Sequence, residues 1–204
     1  NDLRLNDSAP SIAQAYAAAG YETAYVGKWH IDGTGRQAYI PPERHQGFDY
    51  WRVLECTHNY NKSPYFADAD PTKRTWPGYD ATAQTEDAIR YMRTRAADGK
   101  PFCLFLSWGP PHAPYRTGPE ELVAKFDAKS LKLRDNVPAA MRDRVTKDYA
   151  GYYAHAEELD NCIGRIVKAM DSTGLSKTTI LAYSSDHGDM LGSHGQYKKQ
   201  RPWD

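Results

Sequence analysis

Thr178-Thr179-Ile180-Leu181-Ala182-Tyr183 runs into Ser184-Ser185-Asp186-His187-Gly188-Asp189, and the reading of this junction decides the fold. The β-branched and apolar run reads as a buried strand. Asp186, His187 and Gly188 then fall where that strand ends. In open α/β sheets, ligands bind at the carboxyl ends of strands. An acid and an imidazole there, beside a glycine that lets backbone approach closely, make a metal site. The same residues also read as an ordinary solvated loop, and the junction alone leaves both readings open.

The arrangement recurs upstream. Ser11-Ile12-Ala13-Gln14 fits a capping box, with Ser11 as N-cap and Gln14 reaching back. An Ala-rich helix follows, ended by Gly20. Glu22 to Val26 reads as a strand, and Gly27-Lys28-Trp29-His30 follows it. Asp80 to about Ala97 reads as a helix and Phe102 to Ser107 as a strand. After it comes the stiff loop Gly109-Pro110-Pro111-His112-Ala113-Pro114-Tyr115. From about Ala140 to Asp171, Tyr149, Tyr152, Ala156, Leu159, Ile163, Ile166 and Met170 lay one apolar stripe on one helix face. A strand is expected directly after this helix, so the stripe is expected to pack on a sheet, with Gly174 as the stop signal.

Strands alternating with helices argue an α/β fold with a largely parallel sheet flanked by helices. Between them, Gly33 to Gly78 is long for a connection and rich in Tyr, Trp, Pro and His. It reads equally as an insertion that shapes a binding surface and as an irregular loop held by aromatic packing.

At 204 residues the chain can hold one domain with a sizeable core. Lys plus Arg and Asp plus Glu number 26 each, so no global field points to nucleic acid or a charged membrane. No apolar run approaches the roughly 18 residues of a membrane span. Cys103 is expected in a buried strand and Cys162 on an apolar helix face, so the three cysteines, with Cys56, read mainly as buried free thiols. The N-terminus lacks Met and an apolar signal region, and nothing closes the chain after Pro202-Trp203-Asp204. Both ends read as cut.

Taken together, G-K-W-H at Gly27–His30, P-P-H-x-P-Y at Pro110–Tyr115 and S-D-H-G-D-x-L-G-x-H-G at Ser185–Gly195, with a trailing Lys, resemble the sulfatase family. Order and spacing are similar, and the resemblance runs over essentially the whole chain. It implies an incomplete alkaline-phosphatase-like fold, with residues 1–204 part of a single catalytic domain whose N- and C-terminal parts are missing.

A sulfate ester carries one negative charge, and more develops on the bridging oxygen as the S–O bond breaks. Fixed cations aimed at those oxygens stabilise the transition state, and lysine is a compact point charge suited to that task. By their types alone, Lys28, Lys198 and Lys199 read as surface lysines; the resemblance singles out Lys28 and Lys199. A leaving alkoxide needs a proton, which imidazole supplies near neutral pH. The resemblance implies that His112 contacts the sulfate and protonates the leaving oxygen, with His30 as a base beside the nucleophile. Trp29 points to the opposite side and is expected in the core.

Asp186 and His187 match the family's second pair of metal ligands, and such sulfatases usually hold one Ca²⁺. Calcium prefers oxygen, so Asp186 is the firmer ligand and His187 either binds or orients. Asp189 and His194 are assigned to loop structure. The family's formylglycine nucleophile arises from a C/S-x-P/A-x-R motif, which no Cys or Ser here matches. Its two adjacent N-terminal aspartates are also missing. The polypeptide is therefore expected to be an inactive internal fragment of a longer sulfatase, with nucleophile and half the metal shell upstream.

Glu55 to Tyr65 looks like a stretch of bacterial sulfatases acting on glycosaminoglycan-type sugars, including N-acetylglucosamine-6-sulfatase-like members. The expected substrate is a small-molecule or oligosaccharide sulfate ester, with no nucleic-acid partner and no membrane span. Two alternatives stand beside it. One is a phosphomonoester or phosphonate ester hydrolase of the same superfamily, the other a degenerate, non-catalytic sulfosugar-binding protein. Export to the periplasm or medium is a tendency of the family.

Overall fold

The computed structural model describes residues 5–6, 9–126 and 130–199. The chain divides into two compact units: residues 1–109 with 162–178, and residues 110–161 with 179–204.

The first unit is a five-stranded sheet with helices on both faces. Helix α1 (Ile12–Ala18) opens with the expected capping box: the Gln14 amide donates to Ser11 Oγ at 3.1 Å and the Ser11 amide to Gln14 Oε1 at 2.9 Å. Strand β1 (Glu22–Lys28) pairs in parallel with β2 (Tyr50–Leu54) and β5 (Phe102–Ser107). Strands β3 (Pro64–Ala67) and β4 (Asp70–Thr75) add an antiparallel hairpin, giving the order β4-β3-β2-β1-β5. The sheet is thus mixed: β1 and β5 are the parallel strands expected, and the third, β2, is not among those expected. Part of the Gly33–Gly78 stretch is sheet as well, in β2, β3 and β4.

Side-chain alternation along the strands fills both faces. On one face Trp29, Ile40, Phe48, Trp51 and Val53 bury with Ala13 of α1. Tyr25 packs on that cluster and stacks on Phe105. On the other face Phe102, Leu104 and Leu106 meet Ile89 and Met92 of α2 (Asp80–Asp98) and Ile166, Ala169 and Met170. Each large apolar side chain buried this way contributes about 1.5–3 kcal/mol. Gly27 sets the spacing of β1 and β5. Its φ is +112°, and a Cβ there would lie 2.1 Å from the Ser107 carbonyl oxygen.

The second unit contains α3 (Glu120–Lys125) and the first part of the 32-residue helix α4 (Arg142–Thr173). Residues 142–161 of α4 belong to this unit and 162–173 to the first. Its core gathers Tyr115, Val137, Val145, Tyr149 and Leu191. The α4 stripe is therefore used twice, on loops through Tyr149 and on the sheet through Ile166 and Met170. No helix among the described residues is long and apolar enough to cross a membrane. None of the three cysteines is in a disulfide; Cys56 and Cys162 are buried, Cys103 partly so.

One expectation fails. Thr178–Tyr183 is not a strand: after the short 3-10 turn Leu175–Lys177 the chain continues without ladder pairing. Ile180 is 95% exposed and Tyr183 68%. Strand propensity expresses itself only where a neighbouring strand takes up the peptide groups, and no described strand pairs with this run. The chain end Pro202-Trp203-Asp204 lies outside the described residues.

His155 of α4 is fully buried, and its Nε2 donates to the Pro114 carbonyl at 3.3 Å. Burial pushes its pKa from 6.5 down to about 4. The unfolded chain takes up this proton first, so the stability that the neutral ring contributes is complete above pH 6.5 and is lost as pH falls through about 4. The shift corresponds to about 3 kcal/mol. In the full-length protein, His155→Gln should flatten the fall in denaturation midpoint between neutral pH and pH ~4; a wild-type and variant slope that coincide would contradict this assignment.

Candidate functional site

Four of the six expected site residues lie in the second unit, on two loops. His112 sits in the proline-rich loop after β5, where its Nδ1 donates to the Ala113 carbonyl at 3.0 Å. His187 lies in the loop after the unpaired run. Its Nδ1–H donates to the Gly188 carbonyl at 2.7 Å, and its Nε2 accepts from the Lys199 ammonium at 2.8 Å. These bonds define the Nδ1–H tautomer, with Nε2 as the acceptor. The His112 and His187 rings meet edge to face at 5.9 Å between centroids. Between the neighbouring lysines, it is Lys199 that reaches His187, while Lys198 is exposed.

The loops are tied by carboxylates. Asp189 Oδ1 accepts from the amides of Leu191 at 2.9 Å and Lys198 at 3.0 Å, and Oδ2 accepts from the Tyr115 hydroxyl at 2.8 Å. Asp148 on α4, nearly buried, accepts from Arg116 Nε and from the Tyr197 hydroxyl, both at 2.8 Å. Burial and the neighbouring carboxylates hold both phenols protonated: Tyr197 is pushed up to about 12 and Tyr115 further. Gly151 of α4 leaves the space these loops need, since a Cβ there would lie 2.1 Å from the Tyr115 carbonyl oxygen. The His194 amide donates to the Asn136 carbonyl at 3.0 Å.

Asp186 presents a carboxylate that is 82% exposed, with Oδ2 3.5 Å from His187 Nε2. Calcium takes six to eight oxygen ligands. Among the described residues no group of three His, Cys, Asp or Glu side chains could hold a metal ion. One carboxylate, plus an imidazole nitrogen already bonded to an ammonium, does not by itself fit a calcium ion.

Lys28 and His30 lie in the first unit. Lys28 ends β1 and is half-buried; Trp29 turns into the core as expected; His30 is exposed with φ +59°. The Tyr25 hydroxyl donates to the Lys28 carbonyl at 2.8 Å. Lys28 lines a cavity of about 10 Å³ with Thr57, Ser63, Trp76, Asp80 and Gln84. That is room for roughly one water. Asp80 and Gln84 are buried, and Asp80 Oδ1 and Gln84 Oε1 have no hydrogen-bond partner among the described residues.

Sequence reasoning passes over Asp80, Tyr115 and Asp148. Asp80 follows Gly78-Tyr79 and reads only as a helix start. Tyr115 enters only as the last member of the proline-rich motif, and Asp148 stands beside the apolar stripe of α4 at Tyr149, which is the available signal. The aromatic residues of Glu55–Tyr65 prove to be packing groups in part: Tyr60 is buried, with its ring under Gly109, and Tyr65 stacks on the buried Trp76.

The chain is similar to known proteins in sequence and fold. The family model described as Sulfatase matches residues 4–204. The ulvan-active sulfatase of Formosa agariphila is 43% identical over 206 residues, covering 100% of this chain and 40% of that protein. An endo-4-O-sulfatase of Bacteroides thetaiotaomicron is 28% identical, over 93% of this chain and 42% of that protein. The solved structure of yidJ from Bacteroides fragilis superposes with a TM-score of 0.86 at 27% identity, covering 94% of this chain and 46% of that one. The chain thus spans less than half the length of these relatives.

Burial pushes the Asp80 carboxyl from 3.8 up to about 7, against opposing hydrogen bonds from Ser63 and the Ala81 amide. The folded state keeps a proton that the unfolded chain has released. This contribution to stability is therefore full below pH 3.8 and is lost as pH rises through about 7, opposite in sign to that of His155. Carboxyl ¹³C NMR of the full-length protein should show a resonance titrating near neutrality that Asp80→Asn removes. The variant should also lose the decline in stability toward pH ~7, which amounts to about 4 kcal/mol.

Proposed function

This chain belongs to the sulfatase family, and from that premise we propose that the full-length protein hydrolyses sulfate esters of a carbohydrate. Both units form parts of one catalytic domain in this reading, which draws support from a single family match running across them. The observation that carries the catalytic assignment is the Lys199–His187 bond at 2.8 Å, with the His112 ring 5.9 Å from that of His187. A cation and a proton-donating imidazole within one loop pair, Lys199 and His112, are part of what an ester of a strong oxyacid needs for hydrolysis near neutral pH.

The roles follow from charge and proton demand. Lys28 and Lys199 neutralise charge on the sulfate oxygens. His112 delivers a proton to the bridging oxygen as the S–O bond breaks, so that the sugar leaves as an alcohol. His30 serves as the second imidazole, the base. Sulfatases generally use a formylglycine nucleophile and bind calcium. Asp186 is the hard oxygen ligand this chain contributes to such an ion, with His187 beside it. The nucleophile and the remaining ligands come from other parts of the full-length protein.

For the substrate, the 43% identical relative is named as acting on ulvan, and the second as an endo-4-O-sulfatase. A sulfated polysaccharide is therefore proposed, with ulvan as the first substrate to offer and a 6-O-sulfated N-acetylglucosamine as the second.

The test is sulfate release by the full-length, formylglycine-bearing protein. Activity on one of these sugars should exceed hydrolysis of para-nitrophenyl phosphate. Lys199→Ala should lower kcat/KM by about 10²–10³-fold, as expected when one donor to a developing anion is lost. Preference for the phosphate ester would replace this reading by that of a phosphatase or phosphonate hydrolase.

A further inference from the structure

We infer that Tyr115 and Asp189 form a positioning pair, in which one carboxylate fixes the loop carrying Lys199 against the loop carrying His112. The inference rests on the roles proposed above for those two residues. It concerns what holds them in register.

The chemistry asks for an ammonium on the sulfate oxygens and an imidazole on the bridging oxygen at the same moment. Displacement of about 1 Å costs such a pair roughly 10²-fold in rate. Neither His112 nor Lys199 lies in a helix or strand, so loop contacts must supply the precision. The Lys199 loop returns on itself: the Lys198 and Leu191 amides both donate to Asp189 Oδ1, and the Met190 amide donates to the Lys198 carbonyl at 2.9 Å. Leu191 and Lys198 hold φ of +42° and +65°. That left-handed backbone is unfavourable for residues with a Cβ and persists only where surrounding bonds fix it. The peptide leading into Lys199 is thereby oriented by Asp189.

The other oxygen of the same carboxylate takes the Tyr115 hydroxyl at 2.8 Å. Tyr115 stands three residues after His112 and is itself held fast. Its ring is buried among Val137, Val145, Tyr149 and Leu191. The Pro114 carbonyl before it accepts from the buried His155. One carboxylate thus spans both loops, and each of its oxygens is bonded to a different one. Asp148 repeats the device one residue further on, joining Arg116 to Tyr197.

A pair that positions the proton donor has a distinct kinetic signature. A sugar alkoxide is a poor leaving group and depends on His112, whereas para-nitrophenolate leaves with little help. In the full-length enzyme, Tyr115→Phe and Asp189→Ala should lower kcat on the sugar sulfate by about 10–100-fold, and several-fold less on para-nitrophenyl sulfate. Asp189→Asn, which keeps the shape and one of the two acceptor oxygens, should recover part of the loss. The Tyr115→Phe, Asp189→Ala double variant should be little worse than either single one. Tyr115→Phe removes one hydroxyl only, which keeps the test open should Asp189→Ala fail to fold.

Equal losses on both substrates, or additive effects in the double variant, would overturn the pairing. His112→Gln separates the levels. If it discriminates between the two substrates while Tyr115→Phe and Asp189→Ala do not, the pairing is wrong and the role of His112 stands. If it does not discriminate, the role of His112 falls and the pairing with it.

Discussion

Asp148 and Asp189 carry the organisation of the second unit. Asp148 is almost stripped of water and takes compensation from a guanidinium and a phenol. Asp189 takes it from two amides and a phenol. A carboxylate removed from water is tolerable only when its lone pairs are filled. That demand dictates where the surrounding chain can go. The proline-rich loop, helix α4 and the glycine-rich loop after residue 185 are joined through these two side chains more than through regular secondary structure. The apolar cluster around Tyr115 and Val145 then excludes water from the bonds and strengthens them.

The first unit rests on a different constraint. β1 lies between β2 and β5 and shares hydrogen bonds with both. Its approach to β5 tolerates no side chain at Gly27. The strand delivers Lys28 to its carboxyl end, where the polar cavity with Asp80 and Gln84 begins. Trp29 then drops into the aromatic cluster and anchors the turn that exposes His30. A packed indole between a half-buried lysine and an exposed histidine fixes both neighbours from the core side.

Much of this is legible in the amino-acid order. The capping box at Ser11, strand β5 and helices α2 and α4 announce themselves because each is local: spacing of three and four, alternation of two, a glycine stop. Motif residues at the ends of elements are legible for the same reason. What escapes is non-local. Strands β2 to β4 lie in a stretch whose aromatic and proline content masks any alternation, and the pairing of β2 with β1 joins residues well apart along the chain. Tyr115 and Asp189 are 74 positions apart, and no periodicity connects them. Thr178–Tyr183 errs in the opposite direction: its composition is that of a strand, yet a strand is defined by the neighbour it bonds to, and composition carries no word of the neighbour.

That unpaired run has a practical side. Thr178 to Tyr183 contains no charge and no proline, and its peptide groups lie outside any described sheet ladder. Uncharged β-formers in such a window are templates for adding further strands, and the charges at Lys177 and Asp186 stand as gatekeepers on either side. Handled as an isolated polypeptide, this segment is where self-association and insolubility would begin, and a lysine in place of Ile180, already turned to solvent, is the mildest way to keep the preparation dispersed.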